Sequence, residues 1–144
     1  MIERILVAVD DSPAGLAATR LALAVATRLG AGVRLVHVVA DSYVTSALQE
    51  SGGPGMAERR TAAAAALFRH VEGLARAAGV EAEPVERYGE PAQEILQEAR
   101  RWPADLVVIG RGLERGVGGP YVGREARIIL EYAEQPVLVV PAPG

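Results

Sequence analysis

The chain has 144 residues, half of them apolar, about one domain's length and enough to bury a sizeable core. It contains no cysteine, which excludes disulfides, thiolate metal sites and cysteine nucleophiles together. A net charge of −3 with 4% aromatic residues argues against a nucleic-acid binder, which needs a basic surface and stacking rings.

The first residues, MIERILVAVDD, show no basic region before a long apolar segment and no small-residue cleavage site. They read as a strand, RILVAV (4–9), rather than a signal peptide, so a cytoplasmic protein is expected. No apolar run approaches the roughly 18 residues of a membrane span, and no membrane association is expected. Ser12-Pro13 offers a helix N-cap with proline at the first helical position, and Gly30 ends that helix. VRLVHVV (33–39) is a second buried strand. Residues 41–55 have no sustained period and end in turn formers, which predicts a mobile loop, either a lid over a crevice or plain disorder. A helix over 56–78 carries Leu67, Val71, Leu74 and Ala78 on one stripe and stops at Gly79.

The third strand, about 80–87, is charged and carries Pro84, which places it at a sheet edge. Pro91 opens a helix whose Ala92, Ile95, Leu96, Ala99 and Trp102 share a face, with Trp102 expected to anchor it to the sheet. DLVVIG (105–110) is the fourth strand. A glycine-rich loop follows, then a helix with Val122, Ala126, Ile129, Leu130 and Ala133 on its stripe. PVLVVP (136–141) is the fifth strand. Apolar strands alternating with helices predict a parallel sheet covered on both faces, within a single domain spanning 1–144. Such sheets bind ligands beyond the carboxyl ends of their strands, where strand order reverses.

Two segments can meet there, VDDS after the first strand and GRGLERGVGGPYVG (110–123) after the fourth. The acidic pair Asp10-Asp11 is reminiscent of a phosphorylation receiver, but no phosphoacceptor aspartate follows the third strand. Nor is there a lysine, because every basic residue is arginine. Asp11 is expected to cap the first helix with Ser12; Asp10 faces the presumed crevice as a candidate ligand residue. The missing lysine also excludes a Walker-type loop. The glycine loop can form an anion site with the helix N-terminus near Gly123, supported by Arg111, Arg115, Arg124 and Arg127 against Glu114 and Glu125. The plain alternative is a flexible surface loop. His37 reads as a near-core histidine and His70 as a surface one; Ser12 has no histidine placed as its base. Tyr121 can stack on a base or simply pack down.

ILVAVDDSPAG, LVHVV, GEPAQEILQEARRWPADLVVIGRG and YAEQPVLVV, in this order and spacing, resemble the universal stress protein family over nearly the whole chain. The resemblance implies a five-stranded parallel sheet of order 3-2-1-4-5 in a Rossmann-like, adenine-nucleotide α-hydrolase-like α/β fold, paired into dimers. The fifth strand then forms an edge with no charge to protect it, so a homodimer seam is expected at Val137, Leu138, Val139 and Val140. The alternative is that a loop or the last residues cover this edge.

One branch of the family binds ATP through a glycine signature. Gly110 and Gly123 match its first and last glycines, while Leu113 replaces the middle glycine and Arg124 the hydroxyl residue. Gly112 is the candidate to take over the bend, since a leucine at positive φ costs about 1 kcal/mol or more. Arg124 can grip phosphate, fill the pocket, or pair with a nearby carboxylate. By resemblance, Asp10 and the backbone at Val38 lie at the adenosine end, with Gly110 and Gly123 near ribose and phosphates. Ala8, Val9, Ile109, Gly112, Leu113, Arg124 and Glu125 complete the candidate nucleotide-binding set. ATP, with or without magnesium, is the implied ligand and slow hydrolysis the most that is expected. The alternative is a member without nucleotide binding that acts only through dimerisation and an unidentified protein partner.

Overall fold

Strand and helix alternate as the hydrophobic pattern dictates. The computed structural model describes residues 1–40, 53–112, 115–116, 119–120 and 122–143. In chain order the elements are β1 (Arg4–Ala8), α1 (Pro13–Leu29), β2 (Gly32–Ala40), α2 (Gly53–Ala77), β3 (Ala82–Gly89), α3 (Pro91–Arg101) and β4 (Leu106–Gly110). The two-residue strands β5 (Arg115–Gly116) and β6 (Gly119–Pro120), α4 (Arg124–Tyr132) and β7 (Val137–Val140) complete them.

Five strands form one parallel sheet in the order β3-β2-β1-β4-β7, which is 3-2-1-4-5 when the sheet strands alone are counted. β5 and β6 pair antiparallel apart from it. Alternate residues of the strands feed two cores, as period 2 requires. On one face Ile5, Val7, Val33, Leu35 and Val108 pack with Ala18 and Ala22 of α1 and with Val71 and Ala75 of α2. On the other, Leu6, Val36, Val107 and Ile109 pack with Ile95 and Ala99 of α3 and with Ala126 and Ile129 of α4.

β3 lies at an edge, as its proline and charges predict. It pairs with β2 over 82–89, slightly later than the sequence pattern indicates. Two further expectations need correction. Of the 41–55 segment, 41–52 lies outside the described residues, and Gly53, Pro54 and Gly55 belong to α2. Proline is compatible with a first helical turn, where its missing N–H has no intrahelical partner to lose, so turn formers here begin a helix. Leu130 is 46% exposed instead of buried. α4 packs over α3 and β7 at the border of the sheet, so only its Ala126 and Ile129 face is covered.

One polar cluster is set into the second core. Glu98 of α3 is 3% exposed and accepts from Arg34 Nη1 at 2.9 Å, with Arg87 Nη1 at 3.4 Å from its other oxygen. Arg34 also pairs with Glu83 (2.7 Å) and stacks over Trp102, 4.7 Å from the ring. Trp102 thus ties the end of α3 to β2 through a guanidinium as well as through apolar packing. The cluster fixes α3 against β2 and β3, beneath the carboxyl end of the sheet.

Candidate functional site

β1 and β4 are central neighbours, and the chain leaves β1 toward β2 on one side and reaches β4 on the other. The strand order therefore reverses between them, and a crevice opens at their carboxyl ends. At the β1 end, Asp10 Oδ1 accepts hydrogen bonds from the Ser12 N–H (2.9 Å) and the Ser12 hydroxyl. Ser12 Oγ in turn accepts the Gly15 N–H at 3.0 Å, capping α1. This corrects the expected role of Asp11, which is exposed; the carboxylate organising the cap is Asp10. An aspartate two residues before the donating N–H closes an Asx-type turn, which residue 11 cannot do with Ser12.

His37, on β2, donates from Nδ1 to the Val9 carbonyl (2.8 Å) and meets Phe68 edge-on, so it is the partnered near-core histidine its sequence position indicates. His70 is exposed.

At the β4 end the backbone comes very close to α1. A Cβ on Gly110 would lie 2.9 Å from the Ala14 carbonyl carbon and 2.9 Å from the Gly15 nitrogen. Gly112 has φ +98°, so it takes the bend that leucine could not take cheaply. The return of the loop is pinned where the Arg111 N–H bonds Val140 O and the Gly123 N–H bonds Arg111 O, both at 2.8 Å. Leu113 and Tyr121 lie outside the described residues.

Gly123 is the N-cap of α4 and offers no side-chain bond to it, so the first-turn N–H groups are left to meet an anion. Arg124 turns to carboxylates: its Nη1 lies 2.9 Å from Glu125 Oε1 and 3.3 Å from Glu90 Oε1. Those two carboxylates also hold the start of α3, Glu90 Oε2 accepting the Gln93 N–H (3.0 Å) and Glu125 Oε2 the Ala92 N–H (2.9 Å). Burial pushes Glu125 above its ordinary value, helped by its hydrogen bond with Glu90 and against the Ala92 N–H and Arg124. Burial also raises Glu90, but the bonds from Glu125, the Gln93 N–H and Arg124 outweigh it and hold Glu90 below its ordinary value. Glu125 is therefore the member that keeps a proton longer.

These pieces enclose a cavity of about 350 Å³. Of the predicted residues, Ala8, Val9, Asp10 and Val38 line it from β1 and β2, and Ile109, Gly110 and Gly112 from β4 and its loop. Gly123, Arg124 and Glu125 line it from α4, so only Leu113 of the predicted set is not placed there. Ser12, His37, Pro91 and Arg111 also line it and were not in that set. Arg111 stands between two signature-like glycines and Pro91 opens a helix at the same sheet end, so both were within reach of the topology. A second cavity of about 410 Å³, against α2, shares only Val38 with the predicted residues.

The model of the universal stress protein family matches residues 1–141. The chain belongs to that family. It is 27% identical to universal stress protein MJ0531 of Methanocaldococcus jannaschii over 143 residues, 99% of this chain and 84% of the relative. It is similar to the solved structure of universal stress protein UspA from Lactobacillus plantarum, with 28% identity, a TM-score of 0.78, and 96% and 97% of the two chains covered. A universal stress protein from Archaeoglobus fulgidus, solved in complex with dAMP, shares the fold at 24% identity and a TM-score of 0.68, covering 97% of this chain and 99% of that one. Two others share it at 20% identity, one in complex with cAMP and one from Arabidopsis thaliana with AMP bound. Their TM-scores are 0.74 and 0.71, with 99% of this chain and 98% and 93% of theirs covered.

Proposed function

We propose that this universal stress protein is a cytoplasmic, single-domain stress-response protein that binds an adenine nucleotide in the crevice. Occupancy then modulates its contacts with a protein partner. The observation carrying this reading is the convergence of Asp10, Val38, Gly110 and Gly123 on one cavity at the strand-order reversal, beside the uncapped start of α4. Family members solved with dAMP, cAMP and AMP support it. The family's glycine signature points toward ATP, with or without magnesium. Leu113 and Arg124 alter its phosphate half, so the ligand is an adenine nucleotide bound with a changed affinity or phosphate preference. Asp10 and Val38 meet the adenosine end, and the first turn of α4 meets phosphate. The protein acts as a homodimer through Val137–Val140, and any hydrolysis is slow.

A second reading has its own observation. Arg124, at the position of the family's hydroxyl residue, is engaged by Glu90 and Glu125, which favours a member that signals through protein contacts alone.

Calorimetric titration of AMP and of ATP into protein stripped of nucleotide separates the two. Micromolar binding of either supports the nucleotide reading. Absence of binding, with recovery in Arg124→Ser, identifies an arginine that closes the site and supports the second.

A further inference from the structure

Building on the nucleotide reading above, we propose that the phosphate end of the crevice is built for one phosphate group, so that the protein takes a nucleoside monophosphate and discriminates against a triphosphate.

Three kinds of donor are available to a phosphate there: the first-turn N–H groups of α4, Arg111 and Arg124. Arg124 is already shared between Glu125 and Glu90. Neither carboxylate can leave freely, because Glu90 Oε2 holds the Gln93 N–H and Glu125 Oε2 holds the Ala92 N–H. Moving either one uncaps the start of α3. A phosphate arriving at α4 therefore shares Arg124 with two carboxylates that stay in place.

Among the described side chains, Arg111 and Arg124 stand at this end against Glu125 and Glu90, which leaves no surplus positive charge, and Asp10 adds another carboxylate to the cavity wall. The chain has no lysine, so no compact ammonium reaches the site from any segment. One phosphate is satisfied by the helix N–H groups and a share of Arg124. A second and third would carry further negative charge against Glu90 and Glu125 in a partly buried site, where like charges repel more than in water. The cavity, at about 350 Å³, also lies near the lower limit of small-molecule sites, roughly 300–1,000 Å³. The other charged groups near that glutamate pair, Arg87 and Glu94, neutralise each other at 3.1 Å.

The test is calorimetric titration of AMP and of ATP in magnesium-free buffer into the nucleotide-stripped full chain, native and Glu125→Gln. Glutamine keeps the acceptor for the Ala92 N–H while removing the charge. The native protein is expected to bind AMP about tenfold tighter than ATP or more, and the variant to narrow that gap by tightening ATP. Glu90→Gln is expected to narrow it likewise, and serves if Glu125→Gln does not fold. ATP binding as tight as AMP in the native protein overturns the proposal, as does a gap that neither folded variant changes. Binding of neither nucleotide overturns it together with the nucleotide reading, whereas tight ATP with weak AMP overturns this inference alone.

Discussion

A Cβ built on Gly15 would overlap Oδ1 of Asp10 and lie 2.8 Å from its carboxyl carbon. The strand-end carboxylate and the first turn of α1 fit together only because residue 15 has no side chain. Asp10 fills that space and, through Ser12, organises the cap of the same helix. Gly15→Ala is therefore expected to forgo the roughly 1 kcal/mol that alanine normally gains over glycine in a helix. The displaced Asp10 should also weaken nucleotide binding about tenfold. Thermal unfolding and a titration on the same sample check both; a stabilised variant with native affinity would remove Asp10 from the account.

Gly110 makes the second such approach, to backbone atoms of Ala14 and Gly15 instead of to a side chain. Backbone cannot rotate away, so Gly110→Ala should destabilise by about 1–3 kcal/mol, typical of overpacking. Denaturant unfolding measures it.

Glu98 sits 3% exposed between Arg34 and Arg87. Removing its charge leaves Arg34 facing the second core beside Trp102 without its buried counter-ion. Glu98→Ala is expected to cost about 3–5 kcal/mol, as for other broken buried pairs. A replacement within 1 kcal/mol of the native stability would show that the cluster is effectively solvated.

The N–H groups of Glu3 and Arg4 both donate to Asp105 Oδ2 at 2.9 Å, and these bonds hold the Asp105 carboxyl below its ordinary value. A depressed carboxyl stabilises the fold above its unfolded value, near pH 4, and that contribution is lost as pH falls through the folded value. Asp105→Asn should thus lower Tm at neutral pH, and the difference from the native protein should shrink progressively below about pH 4. Melting curves across that range show it; a constant difference would assign the loss to geometry alone.

Val107 donates to Pro136 O and Arg111 to Val140 O, so the alternation of a parallel ladder turns the backbone groups of Val137 and Val139 outward along β7. Val139→Pro removes one outward donor without breaking the pairing to β4. If β7 is the dimer seam, sedimentation should show a dimer for the native chain and a monomer for the variant. A native monomer would refute the seam.

Most of the sheet was legible because each strand reads as an apolar run and each helix as a stripe of period 3.6. Pro84, which has no N–H to give a second neighbouring strand, and its charged neighbours announced an edge. Leu130 misled because periodicity marks a face without saying whether anything covers it. The buried Glu98 had a sequence signal, since it lies on the stripe shared by Ile95 and Trp102, but its two closest arginine partners, Arg34 and Arg87, come from β2 and β3. The roles of Gly15 and Asp10 were not readable in advance, because a close approach between residues of a strand end and a helix turn depends on backbone path. Similarly, the choice of Arg124 among phosphate, pocket and carboxylate depends on Glu90, distant in sequence and brought near by α3.

The most direct test of the nucleotide crevice is amide NMR of the nucleotide-stripped protein during titration with AMP. Binding at this site predicts saturable shifts of the Asp10, Val38, Gly110 and Gly123 amides, while Val80, at the opposite end of the sheet, stays unmoved. Saturable shifts that leave those four amides in place, or no shifts at all, would contradict it.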